Sequence, residues 1–349
     1  MEVTTRYLGK RILIIEVNWL GDVLFSTPFI RAVRKAEPDA YMACLVHPRC
    51  AAILEGNPRI NDIIIYDEEG AHRGILGKIK LVLDLRKKGF DTVYVLHRSF
   101  TKALVAYLSG AADRIGYPTK NRARLLTKVV EEPDAYLHKV DYFLNLLPSP
   151  VSLSKKETYE FFIKDEDKKY IDKYLSRNGI AASDRILALC PGGNWDPKRW
   201  PKENFSALAD MLASSYGFKT VITGGGKEKG LAEDIKAMMK FDALVACGDT
   251  TLKQLGALFE RSHLVVANDT GSMHIAVAMK ANVIALFGPT SPDITGPYGG
   301  GNYKVVRSNV ECEVPCYDME CRDNRCMGAI SIDEVAGIAA LFLKTRGLT

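Results

Sequence analysis

Residues Leu264–His274, which read LVVANDTGSMH, decide the fold. The apolar run at their start predicts a buried parallel strand, and the small and polar residues after it predict the start of a helix. Free backbone N–H groups at such a helix start bind anions. A second apolar run, Val283–Phe287, is followed by the turn GPTSPD. Because neighbouring parallel strands end at one edge, these two turns predict the site at which open α/β sheets hold nucleotides.

The size and composition of the chain indicate a globular protein with two domains. Its 349 residues are more than one domain with a single hydrophobic core usually contains. A composition of 47% hydrophobic and 26% charged residues is typical of globular proteins. The net charge of +5 is mild, and it permits anionic substrates or transient contact with an acidic membrane surface. We expect no nucleic-acid partner, because the Lys and Arg residues are spread along the chain without a dense basic arm.

The sequence predicts neither a secretion signal nor a membrane-spanning segment. Residues Met1–Lys10 are polar, and the apolar run Ile12–Val17 has only the length of a strand. No apolar stretch approaches the roughly 20 residues that span a bilayer. We therefore expect a cytoplasmic protein whose eight cysteines are mostly reduced thiols.

Short β-branched runs alternate with helical patterns, which predicts parallel sheets built from βαβ units. We expect an α/β protein with two Rossmann-like parallel-sheet domains that face a cleft.

The predicted boundaries are residues 1–160 for the first domain, 161–330 for the second and 331–349 for a C-terminal helix. Residues Ser149–Glu157 have the composition of a connection between the domains. In the first half, the predicted strands are Arg11–Val17, Ala40–Val46, Asp62–Tyr66 and Thr92–Leu96, and the predicted helices include Thr27–Lys35 and Ile79–Lys88.

Asp22 is the first candidate for chemistry. It ends the sequence NWLGD (Asn18–Asp22), which follows the first predicted strand. A carboxylate at that place can act as a general base toward a substrate hydroxyl. The alternative is that Asp22 only caps the next helix through its side-chain oxygen, which is a common role for aspartate.

The segment Pro191–Pro201, PGGNWDPKRWP, is the second candidate and follows the first strand of the second domain. Two glycines permit a close backbone approach, Asn194 can donate a hydrogen bond, and Lys198 and Arg199 bring positive charge. These are the parts of a diphosphate site. The alternative is an ordinary loop with solvated cations.

The turn Gly224–Glu228 is a weaker signal, because it matches neither a P-loop nor the dinucleotide Gly-x-Gly-x-x-Gly turn. Glu228 can accept hydrogen bonds from ribose hydroxyls, or it can simply lie at a helix N-terminus, where acidic residues are favourable. His274 can donate to a phosphate or a substrate, or it can be a packing residue. The other five histidines have no metal-ligand spacing, and we assign them no metal.

Half of the cysteines, Cys312, Cys316, Cys321 and Cys326, lie within fifteen residues. Four thiolates can bind a structural zinc ion, but the tight Cys-x2-Cys knuckles of zinc ribbons are missing. We expect instead a cysteine-rich loop that braces its domain, with zinc as the alternative.

Taken in order, these motifs resemble glycosyltransferase family 9, the lipopolysaccharide heptosyltransferases and their relatives. The resemblance rests on Gly21–Asp22, on the segment from Pro191 to Pro201, on NDTGSMH and on FGPTSPD, together with the Cys-rich segment. It implies a GT-B fold, with the acceptor on the N-terminal domain and the nucleotide sugar on the C-terminal one. It also implies inverting transfer of heptose from ADP-heptose to the Kdo- and heptose-bearing lipid A of the inner core, with no cofactor. The segment Pro191–Pro201 and the Ser-Pro-Asp sequence resemble the enzymes that add the second core heptose.

The resemblance also implies residue roles. Asp22 would be the general base, and Lys198 would neutralise charge on the ADP leaving group. The donor would be held by Gly193, Asn194, Glu228, Thr250, Leu252, Asp269, Thr270, Gly271 and His274. The chain departs from some members at Gly193 and Asn194, where those members have two threonines.

An anionic, lipid-linked acceptor implies cations on the first domain and transient contact with the inner face of the membrane. The candidates for binding it are Arg98, Lys102, Arg114, Lys120, Arg122 and Arg124. Other readings stay open at this point: a transferase of another nucleotide sugar, a sugar-nucleotide epimerase, a metal-dependent interaction module or an NAD-dependent dehydrogenase.

Overall fold

The computed structural model describes residues 9–133, 136–148 and 158–344. The chain divides into two compact units, Met1–Phe162 (unit 1) and Ile163–Thr349 (unit 2). The predicted boundary was between residues 160 and 161. The predicted connection, residues 149–157, lies outside the described residues. In the described part of the chain, no helix is both long and apolar enough to cross a membrane.

Among its described residues, unit 1 contains one six-stranded sheet whose strand pairs are all parallel. The strand order is β3-β2-β1-β4-β5-β6, so the chain reverses direction across the sheet between β1 and β4. Its elements are β1 (Arg11–Ile15), α1 (Leu20–Ala36), β2 (Tyr41–Val46), α2 (Pro48–Leu54), β3 (Asp62–Ile65), α3 (Gly74–Lys88), β4 (Thr92–Val95), α4 (Phe100–Leu108), β5 (Asp113–Gly116), β6 (Lys128–Val129) and α5 (Lys139–Leu144).

Unit 2 repeats this plan after a first helix. Its described strands form a second six-stranded parallel sheet in the order β12-β11-β10-β7-β8-β9, with the reversal between β7 and β10. Its elements are α6 (Asp165–Arg177), β7 (Arg185–Cys190), α7 (Lys202–Tyr216), β8 (Phe218–Ile222), α8 (Lys229–Met238), β9 (Ala243–Val245), α9 (Leu252–Arg261), β10 (Leu264–Asn268), α10 (Gly271–Ala278), β11 (Val283–Phe287), α11 (Pro292–Thr295), β12 (Tyr303–Arg307), α12 (Arg325–Gly328) and α13 (Ile332–Lys344).

The sheets are buried because their central strands are almost wholly apolar. Every residue of β7 except Arg185 is buried, and every residue of β10 and β11 is buried. Strands that carry apolar side chains on both faces require a helix layer on each face, which is the doubly wound arrangement. The structure thus confirms the predicted α/β class with two Rossmann-like parallel sheets.

Helix α1 begins earlier than the sequence predicts, at Leu20 rather than Thr27. It also continues through Pro28, which has no N–H to donate to the carbonyl of Leu24. The Thr27 hydroxyl donates to that carbonyl at 2.7 Å and replaces the lost hydrogen bond. Asp22 therefore lies inside the first turn of α1.

The predicted C-terminal helix, residues 331–349, corresponds to α13, and residues 345–349 lie outside the described residues. The buried face of α13 carries Val335, Ala339 and Leu343, which belong to the same core as Leu208 and Phe205 of α7. These apolar side chains make α13 part of unit 2.

Candidate donor and acceptor sites

Asn268 joins the two turns at the reversal point of unit 2. This side chain is fully buried at the end of β10. Its Nδ2 donates to the carbonyl oxygens of Pro191 at 2.8 Å and Gly192 at 3.1 Å, and its Oδ1 accepts the Trp200 N–H at 3.1 Å. A single amide thus fixes both ends of the segment after β7, because each of its polar atoms is used.

Lys198 lies in the segment that Asn268 holds, and it faces Asp269. Its Nζ is 2.6 Å from Oδ2 of Asp269, and both side chains are largely buried. The same carboxylate oxygen accepts the Thr290 hydroxyl at 2.7 Å, and His274 Nε2 lies 3.9 Å from the other oxygen. Turns after three neighbouring strands, β7, β10 and β11, therefore supply one polar cluster.

Thr270 is the N-cap of α10, and its side chain accepts the N–H of Met273. The first turn of α10 follows directly, so the helix presents its N-terminal N–H groups beside Lys198 and Asp269. A helix N-terminus with an ammonium group next to it attracts phosphate groups through the helix dipole and through charge. This arrangement agrees with the anion site that NDTGSMH predicts.

Glu228 lies at the next strand end along the same edge of the sheet, after β8. Its Oε2 accepts the Gly225 N–H at 2.7 Å, which stabilises the first turn after β8. Its Oε1 lies directly over Gly192, where an added Cβ would come within 1.6 Å of it. Gly192 is therefore required for Glu228 to lie between β7 and β8. Thr250 and Leu252 follow β9, one strand further along.

The predicted donor residues therefore lie along one edge of the sheet. Their order along that edge follows the neighbouring strands β10, β7, β8 and β9. Three strand spacings measure about 14 Å. The sequence did not identify two contacts that build this edge, the Asn268 amide and the Trp200 indole, which donates to the carbonyl of Ile330 at 3.0 Å. The burial of Trp200 against Phe205 is visible only in the structure.

The Cys-rich segment braces the turns of unit 2. The Cys316 N–H donates to the Pro289 carbonyl at 2.7 Å, and Asn324 Nδ2 donates to the Arg199 carbonyl at 3.3 Å. The four thiols are free, and within residues 9–133, 136–148 and 158–344 no three His, Cys, Asp or Glu side chains are arranged to hold a metal ion. These contacts agree with the predicted bracing loop.

In unit 1, the carboxyl edge of the sheet places Asp22 at the reversal point between β1 and β4. Asp22 is half-buried in the first turn of α1, and Trp19 occupies the N-cap position. Asp22 is therefore not the N-cap residue itself, and its carboxylate lies three residues after that position. The Arg49 side chain holds the preceding turn, since its Nε donates to the Asn18 carbonyl at 2.7 Å and its guanidinium lies 4.4 Å from the Trp19 ring centroid.

Two of the predicted acceptor cations are structural, which corrects the prediction for them. Arg122 is fully buried and donates to the backbone carbonyls of Tyr117 and His97. Lys102 is buried as well, with Nζ 2.8 Å from Glu68 Oε2 and 3.9 Å from the Tyr66 ring centroid. Neither presents its charge at the surface of unit 1, because both side chains are fully buried.

The remaining candidates differ in whether their charged groups contact other groups of unit 1 or lie at the surface. Arg114 donates to the carbonyls of Leu125 and Ala111, so it holds the strand-to-loop connection. Arg98 is half-exposed and pairs with Glu132 at 3.0 Å. Lys120 and Arg124 are exposed. Arg98, Lys120 and Arg124 are thus the predicted cations that the structure leaves at the surface.

Polar groups that the sequence did not single out also lie at this edge of unit 1. Burial, together with the nearby Lys102 ammonium, lowers the pKa of His97 to about 4, so the imidazole is neutral at physiological pH. Its Nδ1 accepts the Ser99 N–H at 2.9 Å, which leaves the proton on Nε2. Burial raises the pKa of Glu16, at the end of β1, to about 8.

Comparison with known proteins shows which protein family this chain resembles. The model of a family described as glycosyltransferase family 9 (heptosyltransferase) matches residues 79–326. Lipopolysaccharide heptosyltransferase 2 of Escherichia coli (strain K12) is 28% identical over 305 residues, which cover 82% of this chain and 85% of that protein.

Two solved structures extend the likeness to the fold. A glycosyl transferase family 9 protein from Veillonella parvula DSM 2008 has a TM-score of 0.89 at 26% identity, covering 96% of this chain and 98% of that one. The E. coli ADP-heptose LPS heptosyltransferase II has a TM-score of 0.81 at 25% identity, covering 97% and 99%. These likenesses confirm the predicted GT-B fold class.

The buried carboxyl of Glu16 generates a prediction about stability and pH. Because its pKa is higher in the folded protein than in the unfolded chain, its contribution to stability is complete below about pH 4.5 and is lost as the pH rises toward 8. Glu16→Gln removes this loss. The free energy of unfolding of the variant, relative to the unaltered protein, should rise between pH 5 and pH 8 by on the order of a few kcal/mol.

Urea denaturation at several pH values measures this difference. Glu69→Gln, at an exposed position of the same unit, is the matched control and should follow the unaltered protein. A Glu16→Gln variant with the same pH dependence as the unaltered protein would show that Glu16 ionises normally in the fold.

Proposed function

Because the chain belongs to glycosyltransferase family 9, we propose that it transfers a heptose from ADP-heptose to the inner-core saccharide of a lipopolysaccharide precursor. The observation that carries the proposal is the Lys198–Asp269 pair beside the N-terminus of α10, at the reversal point of a parallel sheet. Open α/β sheets bind nucleotides at this point. The likeness to lipopolysaccharide heptosyltransferase 2 of E. coli supports the sugar and the acceptor class.

Unit 2 holds the donor in this proposal. The diphosphate lies against the N–H groups of Gly193 and of the Thr270–Gly271 turn, with the Asn194 amide as a further donor and His274 close by. Glu228 receives the ribose hydroxyls, and the Thr250–Leu252 turn borders the adenine. The order of β10, β7, β8 and β9 supports this assignment, because sugar, diphosphate, ribose and base then follow one sheet edge.

Unit 1 receives the acceptor and supplies the base. Asp22 takes the proton of the acceptor hydroxyl while the hydroxyl oxygen attacks the anomeric carbon. The bond from that carbon to the diphosphate oxygen breaks, and its electron pair leaves with ADP, so the configuration inverts. The half-exposed Arg98 and the exposed Lys120 and Arg124 support an anionic acceptor. Because that acceptor is lipid-linked, the enzyme works at the cytoplasmic face of the inner membrane.

Lys198 stabilises the leaving group. Negative charge grows on the diphosphate as the glycosidic bond breaks, and an ammonium group held by a largely buried carboxylate can neutralise it without first losing a shell of water. Asp269 and Thr290 position Lys198 for this role.

Donor identity is tested by thermal shift with ADP-heptose, UDP-sugars and GDP-sugars. The proposal predicts that ADP-heptose and ADP raise the melting temperature, because a ligand that binds only the folded state stabilises it. Stabilisation by a UDP- or GDP-sugar and by no adenine nucleotide would replace the donor with another nucleotide sugar.

The position of Glu228 gives a first prediction. In Gly192→Ala the new Cβ overlaps Glu228 Oε1, and the flexible carboxylate must move away from the edge. The dissociation constant for ADP should therefore rise about tenfold, as in Glu228→Gln, measured by isothermal titration. Gly226→Ala is the control, because its Cβ would meet no atom within 4 Å. Unchanged ADP affinity in Gly192→Ala would argue against Glu228 as a ribose ligand.

The base gives a second prediction. Asp22→Asn keeps the shape of the side chain and removes its ability to accept the proton. We expect kcat to fall about a thousandfold while ADP affinity stays unchanged, since unit 2 holds the nucleotide. Asp39→Asn, an exposed change in the same unit, should leave kcat unaltered. Full turnover in Asp22→Asn would place the base elsewhere.

The leaving-group cation gives a third prediction. Lys198→Gln should lower kcat by about a hundredfold or more with little change in KM, because the charge it neutralises develops in the transition state. The matched control is Lys202→Gln, which removes a partly exposed lysine paired with Asp234. Since Lys198→Gln leaves Asp269 without its cation, its melting temperature is measured alongside. A change confined to KM would indicate ground-state binding only.

A further inference from the structure

Helix α3 carries apolar side chains on two faces. One face, with Leu81, Val82 and Leu85, is buried against unit 1. The other is exposed: Ile75 is 77% exposed, Leu76 83%, and Ile79 and Leu83 49% each. At 3.6 residues per turn, these four exposed side chains fall within an arc of about 100°. We call Ile75, Leu76, Ile79 and Leu83 the α3 patch.

The neighbouring helix α4 also exposes apolar side chains. Helices α3 and α4 are linked by a hydrogen bond from Arg86 Nε to the Leu108 carbonyl at 2.6 Å. On α4, Phe100 and Tyr107 are about half-exposed and lie seven residues apart, which places them on one face. Two adjacent helices thus present large apolar side chains outward, and such surfaces mark interaction sites.

Positive charge accompanies the α3 patch. Helix α3 contains five lysine or arginine residues, Lys78, Lys80, Arg86, Lys87 and Lys88, and a single acidic residue, Asp84. Lys80 and Lys87 are exposed and border the patch on one side. Viewed down the helix axis, they lie about 120–140° from Ile75. Lys87 lies 3.8 Å from Asp84 in a solvated pair, so the cations stay in excess. An apolar stripe bordered by cations suits the interface of an anionic bilayer.

The patch also lies at the correct end of the unit. Helices that connect parallel strands run back against them, so α3 starts at the carboxyl edge of the sheet, where Asp22 lies. Ile75 and Leu76 are in the first turn of α3. A membrane in contact with this turn would bring a lipid-linked saccharide to the edge that carries the base.

We propose that the α3 patch, with Lys80 and Lys87, is the surface by which unit 1 docks onto an anionic lipid bilayer. The partner is the lipid surface itself, and the proposal rests on the proposed function in that the acceptor is lipid-linked. Apolar side chains enter the headgroup region, and the two lysines neutralise lipid phosphates.

Vesicle co-sedimentation of the full chain tests the docking without any substrate. Vesicles of equal parts phosphatidylglycerol and phosphatidylcholine should bind the protein, and pure phosphatidylcholine should bind it weakly. Leu76→Ser/Ile79→Ser should weaken binding about tenfold, and Lys80→Gln/Lys87→Gln should weaken it about tenfold for anionic vesicles only. The changed side chains are exposed, so the fold should persist. Leu341→Ser, at a 58% exposed leucine of α13, is the matched control and should bind normally.

Three results would overturn the proposal. The first is an unaltered protein that does not bind anionic vesicles, and the second is binding of anionic vesicles by both double variants that is as tight as binding by the unaltered protein. The third is normal vesicle binding by Leu76→Ser/Ile79→Ser together with loss of a dimer in sedimentation velocity, which would assign the patch to a second copy of the chain.

Transfer assays separate this proposal from the proposed function. On a water-soluble, delipidated acceptor, Leu76→Ser/Ile79→Ser should transfer as fast as the unaltered protein, and on vesicle-embedded acceptor it should be slower. An unaltered protein that binds anionic vesicles yet transfers heptose to neither acceptor would contradict the proposed function and leave the docking surface intact.

Discussion

The buried amide of Asn268 is the contact on which the donor site depends. It bonds the carbonyls of Pro191 and Gly192 and the N–H of Trp200, so it sets the path of the whole segment that carries Lys198. An amide can do this because it has both donors and an acceptor, whereas a carboxylate has no donor. With that segment fixed, Lys198 meets Asp269, and Gly192 passes beneath Glu228.

Much of the fold could be predicted from local pattern. The apolar runs Leu264–Ala267 and Val283–Phe287 lie in β10 and β11, because strands that are buried on both faces consist of uninterrupted apolar residues. The parallel sheets then place the predicted turns at one edge of each unit. The start of α1 was predicted too late, because its continuation through Pro28 depends on the Thr27 hydroxyl.

Contacts across long stretches of chain could not be predicted in the same way. A basic residue has the same local sequence pattern whether its charge meets water or oxygens of the protein, so the burial of Arg122 and Lys102 required the structure. The same holds for Asn268, whose partners are 68 to 77 residues away. The burial of Glu16 could not be predicted, because a single carboxyl residue near the end of the predicted strand Arg11–Val17 gives no sign of its depth. In the α3 patch the sequence contains the apolar residues, but only the structure separates the buried face from the exposed one.

A crystal structure of the protein with ADP tests the central claim most directly. The account predicts density for the diphosphate at the N-terminus of α10, with Lys198 Nζ within hydrogen-bond distance of a phosphate oxygen, and ribose hydroxyls on Glu228. Adenine should border the Thr250–Leu252 turn. ADP bound at any other edge of either sheet, or a diphosphate that does not contact the segment held by Asn268, would contradict the account.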